Sequence, residues 1–126
     1  MQTRELAEKV ALAILERGSI TDLDVMLDYG VDEFEVIKVK NLLTRYYGIA
    51  CERWHEQDGE KVMALFLLPE YTGEDGAQLI HRVFHDPGFK TRRRRREEER
   101  KESLRHEVRE ILERLREEWR ENTKRA

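Results

Sequence analysis

The sequence predicts a mainly helical fold with one β-hairpin, of the α+β class, followed by a long charged helix. Three observations support this prediction: apolar residues recur at helical spacing before residue 48, the period then changes to two, and residues 90–125 contain neither Gly nor Pro. A chain of 126 residues is long enough for one compact domain of ordinary size. Charged residues make up 40% of it and hydrophobic residues 39%, so the apolar surface must be concentrated in one part.

Three helices are predicted before residue 48. The first covers residues 4–17, where apolar positions recur with a helical period. The second follows a capping box formed by Thr21 and Asp24, and the third follows a similar pair, Asp32 and Glu35. Each helix stops at a glycine, the residue that best tolerates the left-handed backbone at a helix end.

A β-hairpin is predicted next, because residues 49–56 alternate in character and Asp58-Gly59 is a pair that tight hairpin turns prefer. The returning strand, residues 61–68, is apolar on both faces, so its outer side is expected to be covered by the short helix 74–85, by the long C-terminal helix or by a second subunit. Trp54 is expected to pack on the first helix or on the facing strand; the alternative is that it stacks on, or wedges into, DNA.

Composition divides the chain into three expected parts, which are residues 1–71, 72–89 and 90–126. The middle part contains a short helix, residues 74–85, opened by a capping box of Thr72 and Asp75. The last part is one long helix.

Charge differs between the two ends of the chain. Residues 1–71 hold 14 acidic and 8 basic residues, a net charge of −6, whereas residues 72–126 hold 13 acidic and 16 basic residues, a net charge of +3.

The segment 22–41 carries apolar residues at the spacing of a helix-turn-helix, with a glycine at its turn. These residues are Val25, Tyr29, Gly30, Val31, Val36 and Val39. With the hairpin that follows, residues 4–70 resemble the winged helix-turn-helix superfamily of DNA-binding proteins, of the type found among transcriptional regulators of archaea and their viruses. The resemblance implies a third helix presented to DNA and a hairpin that forms the wing. The same residues are also weakly similar to the winged helix of archaeal transcription factor E, which mainly contacts the transcription machinery.

Ten side chains are candidate DNA contacts, located on the third helix, on the hairpin and in a run of five arginines. They are Lys38, Asn41, Arg45, Arg53, Lys61, Arg92, Arg93, Arg94, Arg95 and Arg96. On the third helix the i, i+3, i+7 spacing places the three candidates on one face, although a polar stripe of this kind is also typical of solvated surface. The arginines occupy a helix start, where the macrodipole disfavours positive charge, so an anionic partner would offset their cost. Alternatively, the arginines form i, i+3 pairs with Glu97, Glu98 and Glu99.

The first turn of the third helix favours a different partner. Asp32, Glu33 and Glu35 would repel phosphate, and Phe34 and Ile37 are apolar at positions expected to protrude. The main hypothesis, based on the resemblance and on the run of arginines, is a transcriptional regulator that binds duplex DNA as a dimer. The alternative is a protein-interaction module of the transcription or replication machinery.

The long helix carries a narrow apolar stripe at alternating spacings of four and three, typical of a coiled-coil seam. Its expected interface residues are Leu104, Val108, Ile111, Leu115 and Trp119, with Leu112 beside them. The stripe predicts a homodimer, or else docking of this helix on the body of its own chain.

Catalysis, cofactors and metals are not expected. The chain has no Gly-rich phosphate loop, nucleophile elbow or His-Glu-x-x-His motif. His81 and His85 have the spacing to share a cation on a helix, but Cys51 and His55 lie about 13 Å apart on a strand and cannot complete one site. The single cysteine forms no internal disulfide, and neither a membrane span nor a signal peptide is visible, so a cytoplasmic protein is expected.

Overall fold

The protein is mainly helical and contains one three-stranded antiparallel sheet, which confirms the predicted α+β class. A computed structural model describes residues 2–125 and the side chains of residues 2–124. In chain order the elements are α1 (Thr3–Arg17), β1 (Ile20–Thr21), α2 (Asp22–Tyr29), α3 (Glu33–Asn41), a π-helical turn (Leu42–Tyr46), β2 (Ala50–Gln57), β3 (Glu60–Leu67), a 3-10 turn (Pro69–Tyr71), α4 (Gly76–His85) and α5 (Arg92–Arg125).

The predicted capping box at α2 is present in full. The Thr21 hydroxyl accepts a hydrogen bond from the Asp24 N–H at 3.2 Å, and the Asp24 carboxylate accepts one from the Thr21 N–H at 3.1 Å. At α3, Asp32 accepts a bond from the Glu35 N–H at 2.9 Å, which is one of the two bonds of the capping box predicted for that pair. The Glu35 carboxylate also accepts the Thr3 hydroxyl at 3.2 Å, which ties the start of α1 to α3.

The third predicted helix changes its pitch before it ends. α3 is regular as far as Asn41, and the chain then forms a π-helical turn in which the Tyr47 N–H donates to the Leu42 carbonyl at 2.8 Å. Gly48 follows with φ +66°, a left-handed conformation that favours glycine. The glycine stop was predicted correctly, whereas the wider turn before it was not.

The capping box predicted at Thr72 and Asp75 is wrong. The Thr72 hydroxyl donates instead to the Pro69 carbonyl at 2.8 Å, within the 3-10 turn, and Asp75 makes no side-chain capping bond. α4 consequently begins at Gly76, two residues later than predicted. Glycine is required there, because a Cβ atom would collide with the backbone carbonyl of Tyr71.

The sheet has the strand order β1-β3-β2. Asp58 and Gly59, with φ +52° and +80°, form the tight turn predicted between β2 and β3. β1 was not predicted; its two residues pair with β3, so that Ile20 lies opposite Leu65. A strand of two residues is too short to show an alternating pattern.

The outer side of β3 is covered in part by side chains of the neighbouring strand. The Arg53 guanidinium lies 4.2 Å from the centre of the Phe66 ring, and the His55 ring packs against the same residue at 5.8 Å. The expected packing of Trp54 is wrong, because its side chain is 67% exposed. Trp54 pairs with Met63, and the buried part of β3 begins only at the next residue, Ala64.

α1 lies at the centre of the core. It packs against α3, α4 and β3 and buries five side chains, which are Leu6, Ala7, Val10, Ala11 and Ile14.

The chain divides into two compact units, residues 1–94 and 95–126. Within residues 2–125, every helix is too short or too polar to cross a membrane.

Lys40 connects three elements of the first unit. Its Nζ atom lies 3.1 Å from an Asp22 carboxylate oxygen at the start of α2 and 3.3 Å from one of Glu52 on β2. Burial alone would lower the pKa of Lys40, but the hydrogen bonds and charges of Asp22 and Glu52 outweigh burial and raise it above the ordinary value. Lys40 thereby holds α3 against both the hairpin and α2.

Replacing this amine is expected to destabilise the fold in a pH-dependent way. We predict that Lys40→Met lowers the free energy of unfolding by about 1 to 2 kcal/mol at neutral pH, measured by urea unfolding. Because folding raises the lysine pKa, this contribution is fully present below the unfolded value of about 10.4 and is lost as the pH rises through the folded value. The difference between wild type and variant should therefore shrink at strongly alkaline pH.

Lys9→Met, at an exposed lysine of α1, is the control and should change stability by less than about 0.5 kcal/mol. A Lys40→Met variant as stable as the wild type at neutral pH would contradict the prediction. So would a difference that persists unchanged above the folded pKa.

Candidate functional site

The outward face of α3 and its π-helical turn carries the three candidate contacts predicted there. Lys38, Asn41 and Arg45 are all exposed, on the side of the helix away from the buried Val36 and Val39. The Lys38 ammonium lies 3.3 Å from the Glu35 carboxylate, so its charge is partly balanced within its own helix. Positive charge on this face therefore increases toward the C-terminal end, at Arg45.

The run of arginines starts against that same end of α3. In the first unit, the Arg94 guanidinium lies 5.4 Å from the centre of the Tyr46 ring, in a cation–π arrangement. Arg93 passes so close to Gly48 that a Cβ atom on the glycine would lie 2.6 Å from the arginine Cδ. Glycine is thus required at position 48 for two reasons: its backbone is left-handed, and a side chain there would occupy the space that Arg93 fills.

Two further contacts place the start of α5. The buried Thr91 hydroxyl accepts a hydrogen bond from the Arg94 N–H at 3.3 Å, which caps the helix as a threonine at this position is expected to do. An Arg92 guanidinium nitrogen lies 3.7 Å from a Glu70 carboxylate oxygen in the 3-10 turn.

We use the name basic corner for Arg45, Arg92, Arg93 and Arg94. Its members belong to the first unit, and Tyr46 and Gly48 form the surface on which the last two lie. The sequence predicted these arginines as candidates, but not that Arg93 and Arg94 would lie beside Gly48 and Tyr46. Arg95 and Arg96 belong to the second unit, where their side chains are exposed.

The hairpin candidates lie among acidic residues. Arg53 stacks on Phe66, and Lys61 lies opposite Glu56 in the strand register. β2, β3 and their turn contain four acidic residues against these two bases. The hairpin is therefore net negative, and the basic corner is the denser group of positive charge in the first unit.

Four large apolar side chains on α2 and α3 are exposed by between 45% and 76%, and we call them the outer apolar residues. They are Leu23, Leu27, Phe34 and Ile37. Phe34 and Ile37 protrude from α3 as the sequence predicted. The apolar pattern of α2 includes Leu23 and Leu27, but Val25 is the residue of that helix that is fully buried. The i, i+4 spacing of the two leucines, opposite Val25, could have shown this.

The apolar stripe of α5 consists of Leu104, Val108, Ile111, Leu112, Leu115 and Trp119. In the second unit, all six side chains are exposed by between 47% and 69%. An apolar stripe on an otherwise charged helix is typical of a surface that pairs with another helix.

The chain matches no protein-family model, and no curated protein or solved structure is significantly similar to it. Its function is therefore inferred from the charge and geometry of its own residues.

Proposed function

We propose that this protein binds duplex DNA as a transcriptional regulator, with a winged helix in residues 1–71 and with its basic corner as the main site for the phosphate backbone. The observation that supports this most strongly is the position of Arg93 and Arg94, which lie against Gly48 and Tyr46 at the end of α3. Arg45 is exposed and directly precedes Tyr46 in the chain, so this end of α3 carries positive charge of its own beside the ring on which Arg94 lies.

The winged-helix assignment is supported by the order of the elements. α1, α2 and α3 precede a hairpin, and β1 joins the hairpin as the third strand of the sheet. This is the order expected of a winged helix-turn-helix, in which the third helix faces DNA.

Charge indicates which part of α3 approaches DNA. Its first turn carries Glu33 and Glu35 after the capping Asp32, and these carboxylates repel phosphate. Asn41 and Arg45 follow on the exposed face toward the other end of the helix. We therefore propose that the C-terminal end of α3 contacts DNA, with arginines on the phosphates and Asn41 within reach of a base edge.

We also propose that the apolar stripe pairs two copies of the chain. Pairing would remove six exposed apolar side chains from water, which stabilises the association by the hydrophobic effect. A dimer presents two DNA-binding surfaces, so weak contacts at each half-site add together.

Replacing the five arginines Arg92 to Arg96 by Ser is expected to weaken DNA binding. We predict that the affinity falls at least about tenfold at about 100 mM salt, measured by fluorescence anisotropy with a labelled duplex. The slope of log affinity against log salt concentration should become shallower by about 0.9 for each phosphate that the variant no longer neutralises.

The matched control replaces five other arginines of α5 by Ser, which changes the net charge equally. These are Arg105, Arg109, Arg114, Arg116 and Arg120. The proposal is wrong if the wild type does not bind duplex at about 50 mM salt. It is equally wrong if both five-residue variants bind like the wild type.

The stripe predicts the mass of the protein in solution. Light scattering coupled to size-exclusion chromatography should show about twice the 15.2 kDa mass of one chain. Ile111→Glu with Leu115→Glu should give the monomer, because two carboxylates would be buried unpaired in the seam. Arg109→Glu with Arg116→Glu, outside the stripe, should stay dimeric. A monomeric wild type would overturn this part of the proposal.

A second candidate function is docking to a protein of the transcription or replication machinery, favoured by the outer apolar residues. Phe34 is 76% exposed and Leu27 73%, next to an acidic helix start that repels DNA. Exposed side chains of this size contribute little to the fold and are typical of binding surfaces.

Phe34→Ser is expected to leave the fold intact and to weaken the binding of a protein partner. Its free energy of unfolding should stay within about 0.5 kcal/mol of the wild type, whereas Phe84→Ala in the core should lower it by about 3 to 5 kcal/mol. Affinity capture with the full chain should then recover a partner that Phe34→Ser fails to bind and that Trp54→Ser, at an exposed hairpin position, retains. Equal recovery with both variants would contradict the docking function.

A further inference from the structure

Two histidines and a carboxylate meet where α1 and α4 pack together. His81 and His85 lie one turn apart on α4, with stacked rings whose centres are 4.4 Å apart. The Glu8 carboxylate of α1 reaches the same place, with its oxygens 2.6 Å and 2.8 Å from His85 Nε2. One ligand atom from each of the three residues lies within 4.8 Å of the other two.

We propose that Glu8, His81 and His85 bind a divalent transition-metal ion of the Zn²⁺ class. Imidazole nitrogen and carboxylate oxygen are preferred ligands of these ions, with bonds of about 2.0 to 2.2 Å. Ligand atoms around a tetrahedral ion of this size stand roughly 3.4 Å apart. The three atoms lie within 4.8 Å of one another, so small rotations of the two exposed histidine side chains would bring them toward that spacing.

The contact between Glu8 and His85 is the point at which a metal would enter. At 2.6 Å the His85 Nε2 atom and a Glu8 carboxylate oxygen are within hydrogen-bonding distance, and a metal ion can take the place of the hydrogen between the same two atoms. His81 takes no part in that short contact, yet its ring is held beside His85 by the helix. A third ligand at this position distinguishes a metal site from a simple ion pair.

The surroundings suit a cation that exchanges with solvent. Glu8 is largely buried, whereas both histidines are exposed and leave a coordination position for water. His85 is the last residue of α4, where the helix dipole favours positive charge. Two nearby guanidinium groups have partners of their own: Arg4 donates to the Phe84 carbonyl, and Arg82 lies 3.5 Å from Asp86.

This site goes beyond the proposed function and does not depend on it. A bound ion would join α1 to α4, the helix that precedes the basic corner in the chain. Metal binding would therefore stabilise the first unit whether or not that unit binds DNA.

The test is titration of the full chain with Zn²⁺ and with Co²⁺, whose visible absorption reports its ligands. We expect one ion per chain and a rise in the midpoint of thermal unfolding. His81→Ala should weaken binding at least about tenfold although it keeps the Glu8–His85 contact. Glu8→Gln and His85→Ala, which change that contact directly, should also weaken binding at least about tenfold.

The control is His106→Ala. His106 lies on α5 with its Nε2 atom 3.2 Å from the Glu110 carboxylate, so it forms a second His–Glu pair, but within residues 2–124 this pair has no third ligand beside it. This variant should bind the metal like the wild type. The proposal is overturned if His81→Ala binds as tightly as the wild type, if His106→Ala weakens binding equally, or if the wild type shows no binding at about 100 µM metal.

Discussion

The turn between α3 and β2 is the constraint on which the first unit depends. Tyr47 is buried there against Phe84 of α4, with ring centres 4.7 Å apart. Gly48 then turns the chain through a left-handed conformation, and the Ile49 N–H donates to the Leu43 carbonyl at 2.9 Å. Because Arg93 lies on the same glycine, one turn positions the third helix, the hairpin, α4 and the start of α5.

Local chemistry was sufficient to predict most helices and the hairpin. A capping box or an Asp-Gly turn involves residues within three or four positions of each other, so the sequence alone indicates it, as at Thr21 and at Asp58. Thr72 has the same local signal, yet its hydroxyl bonds to Pro69 because a 3-10 turn directly precedes it in the chain. β1 lacked a signal altogether, since its strand character comes from pairing with residues more than forty positions away.

The candidate site was predictable in its composition but not in its arrangement. The arginine run and the protruding Phe34 and Ile37 are visible as patterns of residue type and spacing. The contact of Arg94 with Tyr46, and the group of Glu8 with the two histidines of α4, join segments that are nearly fifty or more than seventy residues apart. Such groups follow from helix packing, which no periodicity in a single segment encodes. The exposure of Leu23 and Leu27 was not predicted, although their i, i+4 spacing places them together on the side of α2 opposite Val25.

The π-helical turn at Leu42–Tyr46 has a consequence for how this chain can vary. Such a turn holds one residue more than an α-helical path between the same points, and each residue advances a helix by about 100°. Deleting one residue here would close the turn into ordinary α form, but the side chains that remain inside it, Arg45 and Tyr46 among them, would be redistributed around a narrower helix and would change direction. The length of the segment between Asn41 and Gly48 is therefore as restricted as its chemistry, and related chains should tolerate substitutions there more readily than insertions or deletions.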